Sequence, residues 1–289
     1  MSHSQQKEGQ LRVIAEKGLV YTMSHNIYHH LKDLDLREDV LELQVRGIGE
    51  TSTFPGFCNQ HDTMIFAPIE REELIQNRAD QAVLFFLKSI AYEHATKRGA
   101  SFFYNEFGKA IGDSAPPEWH EFHQRWACGV DLFLLRESPF YVNRIFNIVT
   151  SQSFDDFTTV WLVVDQVLPI STCTGFCPWM DEYEDKWTIE KPQPLVSFTV
   201  APTRSKTHII ISWLTEHDND ASWIREQASN PEGIEYLVNL CIAESSDCCF
   251  NPDFWDGLPQ DTRSRVLENM RHNTFRGPIQ ELPQIIKIE

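Results

Sequence analysis

Apolar positions recur at helical spacing through the first half of the chain. Between residues 9 and 34 they fall near one stripe, which predicts an amphipathic helix from about Leu11 to Lys32. From Arg71 to Arg98 good helix formers carry a wide apolar face, and Gly99 is expected to end that helix. Another helix is predicted to begin near Pro116-Pro117-Glu118, because proline is tolerated in a first turn. The stripe of this helix that we expect to be buried contains Trp119, Phe122, Trp126, Val130, Phe133 and Leu134.

Strand-like patterns appear once before residue 150 and three times after it. Residues 40–45 alternate with a period of two and end at Gly47 and Gly49, which predicts a strand. The segments 158–164, 195–200 and 207–213 are rich in β-branched and aromatic residues. The last two segments are separated by a short connection, so we expect them to form an antiparallel hairpin.

Helix-start signals reappear near the end of the chain. Asn230-Pro231-Glu232 and Leu258-Pro259-Gln260-Asp261 each combine a first-turn proline with a nearby acidic residue. The predicted fold class is therefore α+β, with a helical N-terminal half, a mainly antiparallel sheet in the middle of the C-terminal half, and C-terminal helices packing back on it. A single integrated domain over residues 1–289 is favoured, because no linker-like stretch separates 1–150 from 151–289.

The composition describes an ordered and acidic protein. Hydrophobic residues make up 42% of the chain and charged residues 23%, and the formal net charge is −17. This charge argues against nucleic acid as a partner, since phosphate binding needs clustered cations. The basic candidates Lys97, Arg98, Arg125, Arg263, Arg265, Arg271 and Arg276 are too scattered to form a tract. A protein partner would dock through a basic or apolar patch of its own, and the sequence does not determine the oligomeric state.

Targeting signals and cysteine usage point to the cytoplasm. No apolar run approaches the roughly 20 residues that span a bilayer, and the longest run is interrupted by Lys88. The N-terminus has no apolar core of a secretion signal. Seven cysteines, an odd number, fit a reducing compartment. We therefore expect a cytoplasmic protein with no membrane association.

The densest chemistry lies in the segment Thr53–Glu70. Its reactive side chains are Cys58, His61, Asp62 and Glu70, and its apolar ones include Phe54, Phe57, Phe66 and Ile69. We expect packing among these apolar side chains to desolvate the reactive groups partly. Cys58 could act as a nucleophile activated by a nearby base. Alternatively, His61 could transfer protons while a carboxylate orients it. A third interpretation is structural, with His61 and Asp62 hydrogen-bonded to the backbone and Cys58 acting as a small buried apolar residue.

Cys58 and His61 could also contribute to a zinc site, because a spacing of three residues can direct a sulfur and a nitrogen at one ion. A structural zinc needs four ligands. The remaining ligands would have to come from Asp62, Glu70, Cys173 or Cys177. We therefore expect no cofactor, with zinc as the alternative.

Other candidate residues give weaker signals. His25 and His29 would share a helix face, while His120 and His123 are too close for the HExxH zinc signature. Cys241, Cys248 and Cys249 are expected to be buried. The Asp218 and Asp220 pair lacks the glycine and distal glutamate of a calcium loop. The chain contains no GxxxxGK[ST], GxGxxG or GxSxG pattern, which leaves nucleotide binding and serine hydrolysis without a sequence motif.

The segment around Cys58 resembles a group of uncharacterised bacterial proteins. The resemblance is carried by Gly56-Phe57-Cys58, His61-Asp62, Phe66 and Ile69-Glu70, which fit the pattern GFCxxHDxxxFxxIE. It covers residues 45–100 and extends weakly to the 196–213 hairpin and the 250–270 segment. It implies a bacterial, intracellular origin, and suggests an association with defence against phage.

The residues leave two functions open. On general grounds the sequence narrowly favours a non-catalytic interaction or regulatory protein in which the GFCxxHD segment is a structural loop. The alternative is a hydrolase-type enzyme whose site comprises Cys58, His61, Asp62 and Glu70. If those four side chains contact one another in a solvent-connected cleft, the enzyme is favoured.

Overall fold

A large antiparallel sheet forms the centre of the protein. The computed structural model describes residues 2–23, 43–112, 115–178, 192–245, 247–275 and 282–288. Seven strands form one sheet in the order β3-β2-β9-β6-β7-β8-β5, and every neighbouring pair is antiparallel. A second, two-stranded sheet pairs β1 with β4. The strands are β1 (Ser2–His3), β2 (Leu19–Met23), β3 (Leu43–Gly47), β4 (Thr53–Phe54), β5 (Phe157–Val164), β6 (Ile170–Phe176), β7 (Val196–Pro202), β8 (Thr207–Leu214) and β9 (Cys249–Phe250).

Helices cover both faces of this sheet. They are α1 (Arg12–Ile14), α2 (Asn59–Ile65), α3 (Ala67–Glu70), α4 (Ala79–Ala110), α5 (Pro117–Leu132), α6 (Ser138–Ser151), α7 (Asp218–Gln227), α8 (Pro231–Glu244), α9 (Pro252–Gly257) and α10 (Gln260–Phe275). A π-helical turn, Phe133–Glu137, joins α5 to α6. It lies just before Pro139, which has no backbone N–H to donate to the preceding turn.

The N-terminal part of α4 is buried on all sides. Residues 81–90 are all buried, because this part of α4 packs between the sheet and α6. The buried stretch includes polar side chains as well as apolar ones, among them Lys88, and the buried Glu93 follows it. A charged group in such a helix needs a partner within the interior.

Each face of the sheet has its own apolar cluster. Trp161, Ile210 and Cys173 point toward α4, together with Phe86 and Tyr141 from the helices. The intervening strand positions, such as Phe198 and Trp213, point to the opposite face and pack against α8 and α10. Both faces of β7 and β8 are buried because both are covered.

The predicted α+β class is confirmed, and so is much of its internal order. Strands β5, β7 and β8 match the three predicted segments within two residues, and β7 and β8 form the predicted antiparallel hairpin. The predicted helices at Pro117, Asn230 and Leu258 correspond to α5, α8 and α10. Strand β3 confirms the described part of the signal at residues 40–45.

Three predictions about helices are wrong. The helix expected from Leu11 to Lys32 is replaced, over its described part, by the short α1 and by β2, while residues 24–42 lie outside the described structure. Helix α4 begins at Ala79 rather than Arg71. It continues past Gly99, because contacts with α5, such as that of Phe107 with Trp119, outweigh the weak helix propensity of one glycine. Trp119, expected to be buried, is 39% exposed.

None of the helices within the described ranges combines the length and apolar character that a membrane crossing requires.

Candidate functional site

The segment that carries Cys58 is a tight turn followed by two short helices. Strand β4 ends at Phe54, and Gly56 turns the chain by donating from its N–H to the carbonyl of Phe54 at 3.0 Å. A Cβ on Gly56 would lie 2.1 Å from the Phe54 ring, so no larger residue fits there without rearrangement. Cys58 occupies the position before α2, and its carbonyl accepts from the N–H of Asp62 at 2.9 Å. The loop expected after β3 is therefore largely helical.

Cys58 and His61 contact each other at the surface. Their spacing of three residues brings Sγ of Cys58 to 3.1 Å from Nδ1 of His61. In the tautomer that carries its proton on Nε2, the imidazole accepts a hydrogen bond from the thiol. Both residues are exposed, although the sequence suggested partial desolvation among neighbouring aromatic side chains. The pair is thus accessible to solvent and to solutes.

Asp62 and Glu70 do not complete a four-residue cluster with this pair. The carboxylate of Glu70 forms an ion pair with the ammonium of Lys88 on α4. Oδ1 of Asp62 is buried and accepts no hydrogen bond from the described residues. Neither carboxylate hydrogen-bonds the His61 imidazole within the described structure, so the expected contact holds for Cys58 and His61 only.

Aromatic and charged side chains attach the Thr53–Glu70 segment to α4. Phe57, which precedes Cys58, packs edge-to-face on Phe66 with the ring centroids 5.1 Å apart. The Lys88 ammonium lies 4.6 Å from the centroid of the Phe66 ring, which adds a cation–π contact to its pairing with Glu70. The Lys88 side chain is only 1% exposed, so these two contacts replace the water that would otherwise surround its ammonium. Helices α2 and α3 are thereby attached to α4.

The N-terminal segment holds the same region from the other side. The hydroxyl of Ser2 accepts from the N–H of Phe57 at 2.9 Å and lies 3.4 Å from the Phe57 carbonyl, to which it donates. Strand β1 pairs with β4, with Ser2 opposite Phe54. The side-chain amide of Gln6 donates to the carbonyl of Glu70. Both ends of the Thr53–Glu70 segment therefore contact residues 2–6.

His3 is a third titratable group close to this region. Its Nδ1 donates to the carbonyl of Thr51 at 3.1 Å. Burial lowers the pKa of His3, the hydrogen bond to Thr51 partly opposes this, and the charges of Lys88 and Lys7 lower it further. Asp62 acts in the opposite direction. His3 is therefore predominantly neutral near pH 7.

Two buried acids lie at the far end of the N-terminal segment. The carboxylate of Asp247 accepts a hydrogen bond from the Ser4 hydroxyl, and its backbone carbonyl accepts from the Gln5 amide. Burial raises the pKa of Asp247 to about 8, and the nearby Glu93 on α4 contributes to the increase. Burial also raises the pKa of Glu93. Asp247 is therefore largely neutral at neutral pH, and both acids belong to the interior.

The remaining candidates from the sequence have structural surroundings. Cys241, Cys248 and Cys249 are buried as expected, and burial raises the pKa of each thiol. The ring Nε2 of His123 donates to the Tyr104 carbonyl at 2.9 Å, and His120 is exposed. His25 and His29 lie outside the described residues.

Asp218 and the proposed zinc ligands also lack the arrangement of a binding site. Asp218 accepts hydrogen bonds from Trp213 and Arg225, which fixes the start of α7. Cys173 is buried below α4, where its thiol lies 3.6 Å from the Phe85 carbonyl. Among the described residues, no group of three or more His, Cys, Asp or Glu side chains is arranged to hold a metal ion.

Sequence reasoning missed the residues that support the site. Lys88 appeared only as an interruption of an apolar run, although a lysine inside such a run is itself a signal of a buried ion pair. Ser2 and Asp247 gave no usable signal, because their roles depend on contacts between residues that are distant in the chain.

Comparisons with models of known protein families, with curated proteins and with solved structures find no match to this chain.

Proposed function

We propose that this protein is a cysteine-dependent hydrolase-type enzyme in which Cys58 is the nucleophile and His61 is its general base. The observation that carries the proposal is the 3.1 Å contact between the Cys58 thiol and the His61 imidazole. This distance is within the range of a nucleophile and its base. Exposure of both residues gives a substrate and a water molecule access to them.

The same geometry counts against the structural interpretation of the segment. A structural role would bury Cys58 and spend the polar atoms of His61 on backbone groups. Instead, the segment is anchored by other residues, namely Phe57, Phe66 and Glu70 through its pairing with Lys88. Within the described residues, the Cys58 thiol and the His61 imidazole contact each other rather than backbone groups, which supports a chemical role for the pair.

The chemistry that the pair supports is acyl transfer through a thioester. His61 Nδ1 takes the thiol proton as Sγ of Cys58 adds to the carbonyl carbon of an ester or amide. The bond to the leaving group then breaks, and the imidazolium gives the leaving group its proton. Water, deprotonated by His61, hydrolyses the thioester and regenerates the thiol, so that the overall reaction consumes one water and forms an acid and an alcohol or amine.

Asp62 and Glu70 have different roles in this proposal from those expected of a catalytic cluster. Glu70 holds α3 against α4 through Lys88 and takes no part in proton transfer. Asp62 caps no imidazole nitrogen among the described residues, and its negative charge acts on His3. We assign the chemistry to Cys58 and His61, and we assign to Glu70 the attachment of α3 to α4 through Lys88.

An activated ester tests the proposal without knowledge of the natural substrate. The protein is mixed with p-nitrophenyl acetate, nitrophenol release is followed, and peptide mapping locates any acetyl group. We expect a burst of nitrophenol with acetylation at Cys58. Cys128 is the matched internal control, because it is the other exposed thiol among the described cysteines.

Substitutions at the two positions separate nucleophile from base. Cys58→Ala should abolish the burst, and His61→Ala should slow it by about 100-fold, the lower end of what a general base contributes. Equal acetylation of Cys58 and Cys128 in the unsubstituted protein would refute the proposed role. An unchanged burst in His61→Ala would refute the role of the imidazole.

A second candidate function is binding of a protein partner without catalysis, which the sequence narrowly favoured. The observation in its support is a set of large apolar side chains exposed on the helices, with Leu135 82% and Phe102 65% exposed. Exposed apolar surface is a feature of interaction sites. If the partner is a second copy of this chain, Leu135→Ser should lower the mass measured by sedimentation, while Cys58→Ala should leave it unchanged.

A further inference from the structure

The Ser2 side chain satisfies both backbone polar groups of the residue before the proposed nucleophile. The hydroxyl accepts from Phe57 N–H at 2.9 Å and donates to Phe57 C=O at 3.4 Å. Ser2 itself is fully buried, and β1 places it opposite Phe54 in the small sheet. One hydroxyl from the start of the chain thus sets the backbone of Phe57.

The conformation of Phe57 determines where the Cys58 thiol points. Cys58 lies outside α2 in an extended conformation, so the helix does not fix its N-terminal side. His61, in contrast, is within α2, and its position follows from the helix. The 3.1 Å contact therefore depends on holding residue 57 in one conformation relative to α2.

Other contacts hold the rest of the segment but do not hydrogen-bond the Phe57 backbone. The Phe57 ring packs on Phe66, which restrains the side chain. Gln6 binds the carbonyl of Glu70 at the far end of α3. Within the described residues, Ser2 supplies the hydrogen bonds to the Phe57 backbone.

We propose that Ser2 is a positioning residue for the Cys58 and His61 pair, so that the N-terminal strand is part of the reactive site. This inference rests on the proposed function, because it assigns to Ser2 the alignment of that nucleophile with its base. A positioned nucleophile loses reactivity steeply when its geometry is relaxed, and a misplacement of about 1 Å can cost up to roughly 100-fold in rate.

The test compares alkylation rates of individual cysteines in the full-length protein. Iodoacetamide is added at neutral pH, and quantitative peptide mapping gives the rate at Cys58 relative to Cys128 in the same molecule. The variants are Ser2→Ala, which removes the hydroxyl, and Ser2→Thr, which retains it. Ser89→Ala is the matched control, because Ser89 is also buried and donates to a backbone carbonyl, that of Phe86.

We expect Ser2→Ala to lower the Cys58 to Cys128 rate ratio by about tenfold, and Ser2→Thr and Ser89→Ala to retain it. The buried Cys173, Cys241, Cys248 and Cys249 report the integrity of the fold, because they react only if the protein opens. If the buried cysteines of Ser2→Ala react, the Cys58 to Cys128 rate ratio is measured in Ser2→Gly instead. The acetylation burst is then also measured at lower temperature.

The outcomes distinguish this inference from the function on which it rests. A Cys58 rate that equals the Cys128 rate in the unsubstituted protein would overturn both. An enhanced Cys58 rate that survives in Ser2→Ala, with the buried cysteines protected, would overturn the role of Ser2 and leave the proposed function standing. A lower Cys58 to Cys128 rate ratio in Ser2→Ala, together with an unchanged ratio in Ser2→Thr, would support the role of Ser2.

Discussion

Replacement of Asp247 by asparagine should remove a large part of the pH dependence of stability. Asp247 is fully buried next to Glu93, and its carboxyl contacts the Ser4 hydroxyl of the N-terminal segment. Asparagine has nearly the same shape, stays neutral at every pH, and retains an oxygen that can accept from Ser4. The variant therefore imitates the protonated acid.

The sign and size of the effect follow from the raised pKa. Asp247 titrates at about 8 in the folded protein against an ordinary value of 3.8. Below about pH 4 the carboxyl is protonated in both the folded and the unfolded state. Between about pH 4 and pH 8 only the folded state keeps the proton, so the free energy of unfolding falls by about 1.4 kcal/mol per pH unit. From pH 5 to pH 7 the expected fall is about 2.7 kcal/mol.

Urea denaturation at pH 5, 6 and 7 at constant ionic strength measures this difference. The stability of Asp247→Asn minus that of the unsubstituted protein should grow by about 2.7 kcal/mol over this range. Glu93 contributes a slope of the same sign in both proteins and largely cancels in the difference. Asp165→Asn is the control, because Asp165 is exposed in the turn after β5.

Parallel stability curves for Asp247→Asn and the unsubstituted protein would refute the reasoning. They would mean that Asp247 is already ionised in the folded state, or that water reaches it. In either case the close packing of residues 4 and 5 over this acid would be wrong.

The other predictions concern single contacts. Glu70→Gln should destabilise the protein by about 3 kcal/mol in urea denaturation, because it leaves the buried Lys88 ammonium unpaired. Lys88→Met should destabilise it less, because the Glu70 carboxylate that it leaves is 26% exposed. Equal losses of stability in the two variants would contradict this. Asn230→Ala should cost about 1 kcal/mol in the same measurement, since its side chain accepts from the N–H of Gly233 at 2.8 Å and caps α8, whereas Asn230→Asp should cost little. Gly233→Ala should lower the melting temperature by several degrees, because a Cβ at residue 233 would lie 1.9 Å from the Gln227 carbonyl oxygen. An unchanged melting temperature would argue against this close approach.

The sequence predicted the elements whose signals are local. Strands β7 and β8 are rich in β-branched and aromatic residues, which favour a strand, and both strands are buried on both faces. Asn230 followed by proline located the start of α8, because a cap and a first-turn proline act within a single turn.

The elements that were missed depend on distant partners. Strand β9 has only two residues, Cys249 and Phe250, and exists because β2 and β6 lie on either side of it. Strand β2 shows an apolar spacing that also fits a helix, and its pairing with β3 and β9 decides the outcome. Periodicity within one segment carries no information about such pairing.

The candidate site shows the same division. The contact between Cys58 and His61 follows from their spacing of three residues at the start of a helix, which a sequence can indicate. The pairing of Glu70 with Lys88 and the bonds from Ser2 join residues 18 and 55 positions apart, respectively. The expectation that Asp62 and Glu70 would contact the His61 imidazole was wrong. The Glu70 carboxylate pairs with the buried Lys88 instead, and Oδ1 of Asp62 is buried without a hydrogen bond from the described residues.

The alkylation rate of Cys58 in His61→Ala tests the central claim most directly. In the unsubstituted protein at neutral pH, iodoacetamide should modify Cys58 at least about tenfold faster than Cys128, and removal of the imidazole should bring the two rates together. If the Cys58 rate is the same with and without His61, the 3.1 Å contact has no chemical consequence and the proposed pair does not exist as a reactive unit.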